Sequence, residues 1–383
     1  MDRRSVSVAS ASAAGGREAL QERIAGEIAA CGGWLGFERF MELALYAPGL
    51  GYYARSDRQF GALPSSGSDF VTAPELTPRF GHALARQLDQ ALDASGTDEL
   101  WEFGAGSGAL AAALLEALGE RVRRYTIVDL SAALRERQRA TLAARVPGAL
   151  SRVRWVDTLP ATIEGVVVGN EVLDAMPVAL LCFDGERWLE RGVVNERAGF
   201  SFADRDTGLR PPEAAPDPAA PGRIVELPRQ AEAFVRTLAG TLVRGAAFFL
   251  DYGFPAAELH HPQRHGGTLM CHRGHRSDPD PLVEVGEKDL TAHVDFTGIA
   301  LAGQEAGLAV LGYTTQAHFL INCGLLDDLP RRADGGVDPR EAAAVQMLVA
   351  EHEMGELFKV IGFAAGKPFD ALGFARGDRS HRL

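Results

Sequence analysis

Residues 101–110 read WEFGAGSGAL, and this stretch decides the fold. ELWEF (99–103) has the composition of a strand and ALAAALLEAL (109–118) that of a helix, with Gly104, Gly106 and Gly108 between them. Glycines at a strand-to-helix junction let the backbone turn tightly and approach a ligand closely. Two readings stay open at this point: a loop for a nucleotide-type cofactor, or an ordinary strand–turn–helix. Read as Gly104-x-Gly106-x-x-Ala109, the motif also fits a dinucleotide fingerprint.

Working outward, the strand–helix alternation continues. RYTIVDL (124–130) leads into SAALRERQRATLAARV, with Ser131 placed to cap that helix. SRVRWVD (151–157), GVVVGN (165–170) and GAAFFLDYG (245–253) follow as further strands. Continuous apolar runs of this kind suit parallel strands covered on both faces. The expectation is a doubly wound α/β sheet, Rossmann-like in class. Ahead of it, 17–31 and 37–47 show helical spacing, and 77–92 reads as a helix with Thr77 as N-cap and Pro78 at its first position. Between them, 48–76 is a long Gly/Pro/Ser-rich loop carrying four aromatics. Residues 254–288 read mostly as loop, 289–307 as a helix with Thr297 near its start, and the remainder as strand, helix, helix and a final strand. The expected division is a disordered tail at 1–16, a helical cap and cofactor lid at 17–95, a core at 96–178 and 245–383, and an insertion at 179–244 that meets the substrate.

The chain has 383 residues, 46% hydrophobic and 23% charged, which suits a globular protein with a sizeable core. A net charge of −12 gives no basic footprint for nucleic acid or an anionic membrane, and fits a cationic partner better. Cys31, Cys182, Cys271 and Cys323 are far apart, so neither a disulfide framework nor a zinc site is expected. No apolar run approaches the roughly 20 residues of a membrane span. The start, MDRRSVSVASASAAGG, is Arg/Ser/Ala-rich without an apolar core, so it is no secretory signal. Composition and this start favour a bacterial cytoplasmic protein, or a mitochondrial one in a eukaryote.

Two features turn the glycine loop toward S-adenosylmethionine (SAM). Glu102, at the strand end, suits a cationic sulfonium and would repel a pyrophosphate. The motif also begins near residue 100, whereas dinucleotide fingerprints more often open their domain. Asp129 ends the second strand, where an acid accepts from ribose hydroxyls; the other reading is a helix-capping acid. Asp157 ends the third, within reach of an adenine amino group, or is a plain loop acid. Asn170, Glu171 and Asp174 follow the fourth strand, at the carboxyl edge where such sheets bind ligands; the alternative is a turn in which Asp174 caps a helix. Asp251 ends the fifth strand at the same rim. His293 and Asp295 are candidates for a proton relay or a substrate clamp. His260, His261, His265, His272 and His275 have irregular spacing, and a solvated loop is expected there rather than a metal site.

Taken together, FMELALYAPGLGYY (40–53), GSDFVTAPEL (67–76), WEFGAGSGAL (101–110), NEVLDAMPV (170–178), LDYG (250–253), DLTAHVDF (289–296), TTQAHFLINCG (314–324) and MGELFKVIGF (354–363) resemble the MidA-like class I SAM-dependent methyltransferases. The resemblance spans about residues 20–370. It implies a seven-stranded sheet with N-terminal helices over the cofactor cleft. It implies that Asp69, Phe70, Thr72, Pro74 and Glu75 pack over the SAM site, and that Asn170 and Glu171 lie between cofactor and substrate. Mitochondrial members dimethylate an arginine of a respiratory complex I subunit, which implies a protein partner with an exposed arginine. The expected assignment is therefore a SAM-dependent protein arginine methyltransferase. Glu171 and Asp174 would grip the guanidinium, and Asp251 or His293 would help remove its proton. Glu102, Gly104, Gly106, Gly108, Asp129, Asp157 and Asn170 would hold the cofactor with Asp69, Thr72 and Pro74. Two other readings remain: a small-molecule methyltransferase, and a SAM-binding assembly factor without catalysis. Ser68 before Asp69 and the His-rich 254–288 depart from the family pattern and leave the acceptor open.

Overall fold

The computed structural model describes residues 3–55, 72–213, 221–273, 276–327 and 338–383. In chain order, α1 (Arg3–Ala30), β1 (Leu35–Gly36), α2 (Phe37–Tyr46), α3 (Ala73–Leu76) and α4 (Pro78–Ser95) come first. The alternating region follows: β2 (Glu99–Phe103), α5 (Ala109–Leu118), β3 (Arg124–Val128), α6 (Ala132–Arg145), β4 (Val153–Val156) and β5 (Ile163–Asn170). Then come β6 (Ala179–Phe183), β7 (Trp188–Glu196), β8 (Gly199–Asp206), β9 (Ile224–Leu227), α7 (Arg229–Thr241) and β10 (Leu242–Phe254). Next are α8 (Ala256–Leu259), β11 (Met270–Arg273), β12 (Arg276–Asp278), β13 (Asp289–Thr291), β14 (Val294–Asp295) and α9 (Phe296–Glu305). The chain ends with β15 (Ala309–Thr315), α10 (Gln316–Asn322), α11 (Pro339–Val349), α12 (Met354–Leu357) and β16 (Phe358–Ala365).

The main sheet runs β15-β16-β10-β5-β2-β3-β4, with β14 pairing on β10. The pairs from β10 to β4 are parallel, and β16 is antiparallel to both its neighbours. The chain leaves β2 toward β3 and β4, then returns to β5 on the other side of β2. That reversal is the switch point, where the carboxyl ends of β2 and β5 leave a crevice. Alternate residues of the central strands feed two cores. Val166, Val168, Phe248 and Leu250 pack under α4, α5 and α10, while Val167, Ala247 and Phe249 pack under α7 and α9. Burial on both faces is why these strands read as unbroken apolar runs. The caps follow local chemistry. Thr77 Oγ1 accepts the Arg79 amide with Pro78 at the first helical position, and Ser131 Oγ accepts the Leu134 amide.

A third core joins the cap to the insertion. Strand β1 pairs antiparallel with β7, Leu35 opposite Val193, and extends the sheet β7-β6-β9. Trp34 lies so close to Gly192 that an added Cβ would stand 2.3 Å from its ring, so only glycine fits. Leu20, Ile24, Phe40 and Met41 of α1 and α2 pack here with Val193, Cys271 and Leu290.

Two sequence expectations change. Helix α1 starts at Arg3, inside the segment read as a disordered tail; its alanine-rich, proline-free sequence permits helix. Residues 254–288 are mostly loop, as expected, with α8 and two short strands set within them. Strands β11 and β12 form a small antiparallel sheet with β13, anchored by fully buried Cys271. Helices α4 and α7, expected in the cap and the insertion, pack on the main sheet, because their apolar stripes face α5 and α9. Among the described residues no helix is long and apolar enough to cross a membrane.

Candidate functional site

The crevice at the switch point is a cleft of about 660 Å³, counted with its open mouth. Its floor is Glu102 and the loop Gly104–Ser107, one wall is Asn170, Glu171 and Asp174, and Tyr53, Thr72, Pro74, Glu75 and Asp289 close it from above. Gly104, Gly106 and Gly108 all have positive φ, at 63°, 51° and 84°. A Cβ on Gly106 would meet nothing within 4 Å, so the backbone there faces open space that a ligand can enter. The Ser107 hydroxyl donates to Glu75 and ties the lid helix α3 to the loop.

Glu102 is 2% exposed and accepts from the Tyr125 hydroxyl at 2.6 Å. Burial pushes its carboxyl up to about 7 against that hydrogen bond. Asp129 does not line the cleft. Its Oδ1 accepts the Ser131 amide at 2.8 Å, and its Oδ2 accepts Gln138 Nε2 at 2.7 Å. The same Gln138 amide reaches Gly106 O at 3.2 Å, so the acid is coupled to the glycine loop through Gln138. Asp157 is exposed and faces Arg135 at 3.8 Å, outside the cleft. Asp69 and Phe70 lie outside the described residues.

The turn after β5 concentrates charge. Glu171 has φ of +55°, a left-handed conformation that costs a non-glycine residue about 1 kcal/mol. Its amide donates to Leu250 O at 2.9 Å, and Asn170 Nδ2 donates to its Oε1 at 2.8 Å. Asn170 Oδ1 is buried with no hydrogen-bond partner among the described residues, an acceptor that suits an ammonium or N–H of a bound group. Burial, and then the charge of Asp251, raise the Glu171 carboxyl to about 8. Burial and the charges of Asp251, Glu171 and Asp289 hold Asp174 well above the usual carboxylate range. Asp289 is fully buried, and both its oxygens accept from the Tyr53 hydroxyl, at 2.8 and 2.9 Å. None of the described residues lining the cleft is basic.

Asp251 and His293 are not brought into the cleft. Asp251 Oδ2 accepts the amides of Val172 and Leu173 at 3.0 and 2.7 Å, and Oδ1 accepts the Tyr252 amide at 3.0 Å. With both oxygens engaged by backbone, it orders the turn and is badly placed to take a substrate proton. The His293 ring packs on Phe254 and Tyr252, with centroids 5.3 and 6.4 Å apart. Burial, then the cations Arg264 and Lys359, lower its pKa to about 4. Asp295 is the N-cap of α9, accepting the amides of Thr297 and Gly298. The described histidines of 260–272 are dispersed: His260 is buried beside Asp295 at 3.7 Å, while His261 and His265 are exposed. Tyr53 and Asp289 were not singled out from sequence. The quoted motifs GLGYY and DLTAHVDF contain them, but nothing local says that they meet 236 residues apart.

Residues 83–314 match a family model described as S-adenosyl-L-methionine-dependent methyltransferase. A crystal structure from Burkholderia thailandensis, bound to S-adenosyl-homocysteine, is 52% identical over 97% of this chain and 98% of its own, with a TM-score of 0.91. The mitochondrial protein arginine methyltransferase NDUFAF7 of Danio rerio is 26% identical, covering 89% of this chain and 86% of its own length. The Caenorhabditis elegans homologue is 25% identical over 76% and 73%.

Proposed function

The chain belongs to the MidA-like family of S-adenosyl-L-methionine-dependent methyltransferases, and from that premise we propose that its methyl acceptor is an arginine side chain of a protein. The observation that carries this is the convergence of Glu171, Asp174 and Asp289 on one cleft whose described lining has no basic residue. Carboxylates held together in low dielectric repel one another, and a guanidinium relieves that repulsion while pairing through its planar fork. The naming of the curated relatives as protein arginine methyltransferases supports the same reading.

The cofactor's sulfonium supplies an activated methyl group. The chain's task is alignment and charge control. We assign cofactor binding to Glu102, the Gly104–Gly108 backbone, Thr72, Pro74 and Asn170, with Asp129 acting through Gln138. A guanidinium has a pKa above about 12, and its lone pairs are delocalised. Glu171 and Asp174 grip it, concentrate positive charge away from the attacking nitrogen, and hold that nitrogen about 3–3.5 Å from the methyl carbon. Glu171, poised near neutrality, ionises when the cation enters and receives the proton that the methylated nitrogen releases. Asp251 keeps the 172–174 amides in place beneath it. We assign the acceptor-protein surface to the cap and the β6–β9 insertion, and place the protein in the bacterial cytoplasm.

The test supplies methyl-tritiated cofactor with a cell extract and locates the label by mass spectrometry. Label on arginine, lost in Glu171→Gln while S-adenosyl-homocysteine still binds, is the expected result. Label confined to small molecules or to other residues would overturn the arginine assignment.

A further inference from the structure

Beyond the carboxylate wall the charge changes sign. Asp251 of β10 lies directly opposite Lys359 of β16 in the antiparallel ladder, so the two side chains leave the same face of the sheet. They do not pair. Asp251 is held by backbone amides, and the Lys359 ammonium donates to the Glu356 carbonyl. Lys359 is 4% exposed, and its Nζ lies 5.3 Å from the centre of the Phe254 ring. The Arg264 guanidinium lies 4.1 Å from the same ring, and its Nε donates to the Glu258 carbonyl at 3.1 Å. The neighbouring carboxylates are already engaged: Glu356 pairs with Arg379 at 2.6 Å, and Glu258 with Arg382 at 2.5 Å. Among the described residues neither Arg264 nor Lys359 forms a close ion pair, although the charges of Glu356 and Glu258 act on Lys359 from nearby.

His293 packs against the same Phe254, and its Nδ1 is buried without a hydrogen-bond partner. A buried ammonium without a directly paired carboxylate is costly. The cost shows in Lys359, which burial lowers to about 8. Tyr252 joins the two regions. Its hydroxyl is raised by burial and by the charges of Glu171, Asp174 and Asp251, while its ring packs on Phe358 at 3.8 Å and faces His293. A negative cleft and a positive, aromatic-floored patch thus lie on either side of one tyrosine.

We propose that Arg264, Lys359 and His293 form a subsite for a carboxylate of the acceptor protein, so that the enzyme selects an arginine that has an acid close by. This rests on the arginine reading of the adjacent cleft. The carboxylate completes the hydrogen bonding of Arg264 and His293 and neutralises Lys359. Its source is an aspartate or glutamate side chain, or a chain terminus.

The experiment measures kcat/KM for methylation of short peptides with a single arginine. One glutamate is scanned along the sequence, glutamine is placed at the same offsets as control, and a parallel set compares a free with an amidated C-terminus. At one or two offsets glutamate is expected to exceed glutamine by about tenfold, the scale of a charge-assisted contact. That ratio falls toward one in Arg264→Gln and in Lys359→Met. Arg264 is half-buried on a loop, so its variant carries the test if Lys359→Met misfolds. Enhancement only by a free terminus identifies a chain end as the source. Equal methylation of glutamate and glutamine peptides, with no effect of a free terminus, overturns the subsite; so does a preference that survives in the Arg264 variant. If no arginine peptide is methylated while S-adenosyl-homocysteine still binds, the arginine reading itself fails and the subsite falls with it.

Discussion

Asp251 Oδ2 accepts the Leu173 amide at 2.7 Å, so the end of β10 holds the turn that follows β5. The contact joins positions 78 residues apart and orders the backbone on which Glu171 and Asp174 stand. Asp251→Ala leaves the amides of Val172 and Leu173 buried without an acceptor and is expected to cost about 2–4 kcal/mol. Asp251→Asn keeps one acceptor oxygen and should cost about half as much. Urea unfolding measures both. If Asp251 were instead the proton acceptor, the Asn variant would keep its stability and lose kcat together with its pH dependence.

Gly106 and Gly108 have different neighbours although both are left-handed. A Cβ on Gly106 meets empty space, whereas one on Gly108 stands 3.1 Å from Gln138 Cα. Gly106→Ala is expected to cost about 1 kcal/mol in folding and to weaken S-adenosyl-homocysteine binding at least about tenfold, since the methyl group occupies the ligand's space. Gly108→Ala adds a clash with Gln138 and should destabilise more. Calorimetric titration alongside thermal melts separates the two effects; unchanged affinity in the Gly106 variant would show that the ligand does not approach that backbone.

Glu171, raised to about 8 by burial and the charge of Asp251, must be ionised to accept a proton. In the free enzyme kcat/KM should therefore rise about tenfold per pH unit below that value and level off above it. Glu171→Gln should remove this limb and lower kcat by about 10²–10³-fold. A wild-type profile that is flat between about pH 6 and 9 would show that proton transfer to Glu171 does not limit the reaction.

Asp289 receives the Tyr53 hydroxyl and adds negative charge beside Asp174 and Glu171. If it helps hold the acceptor cation, Asp289→Asn should raise the acceptor KM about tenfold or more while leaving cofactor affinity within about twofold. Tyr53→Phe, which removes only the hydrogen bond that orients the carboxylate, should give a smaller rise in the same direction. Steady-state kinetics with each substrate varied in turn distinguishes this from a general loss of folded enzyme, which lowers kcat and spares both KM values.

Legibility in the sequence followed the range of the interactions. The strand VVVGN ending β5 and the glycine loop after β2 were readable because burial on both faces and positive φ select residue types locally. Thr77 and Ser131 were readable as caps for the same reason. Asp251 was rightly placed at the carboxyl rim, but its orientation was not readable, because its partners are amides from another strand. Asp157, read as an adenine contact or a plain loop acid, is exposed and faces Arg135 at 3.8 Å. The pairing of β1 with β7, which joins the cap to the insertion, left no trace beyond Trp34 and Gly192.

By itself, the sequence determined the α/β class, the run of apolar strands, the glycine loop and the acidic turn at 170–174. Each of these depends on periodicity or backbone conformation within a few residues. Only the tertiary structure decided which carboxylates share a cleft. Glu171, Asp174 and Asp289 meet there, Asp251 withdraws to cap a turn, and His293 joins a basic patch next door. The reason is that a side chain's charge state and availability depend on the hydrogen-bond partners and desolvation that folding brings to it, and those come from residues distant in the chain.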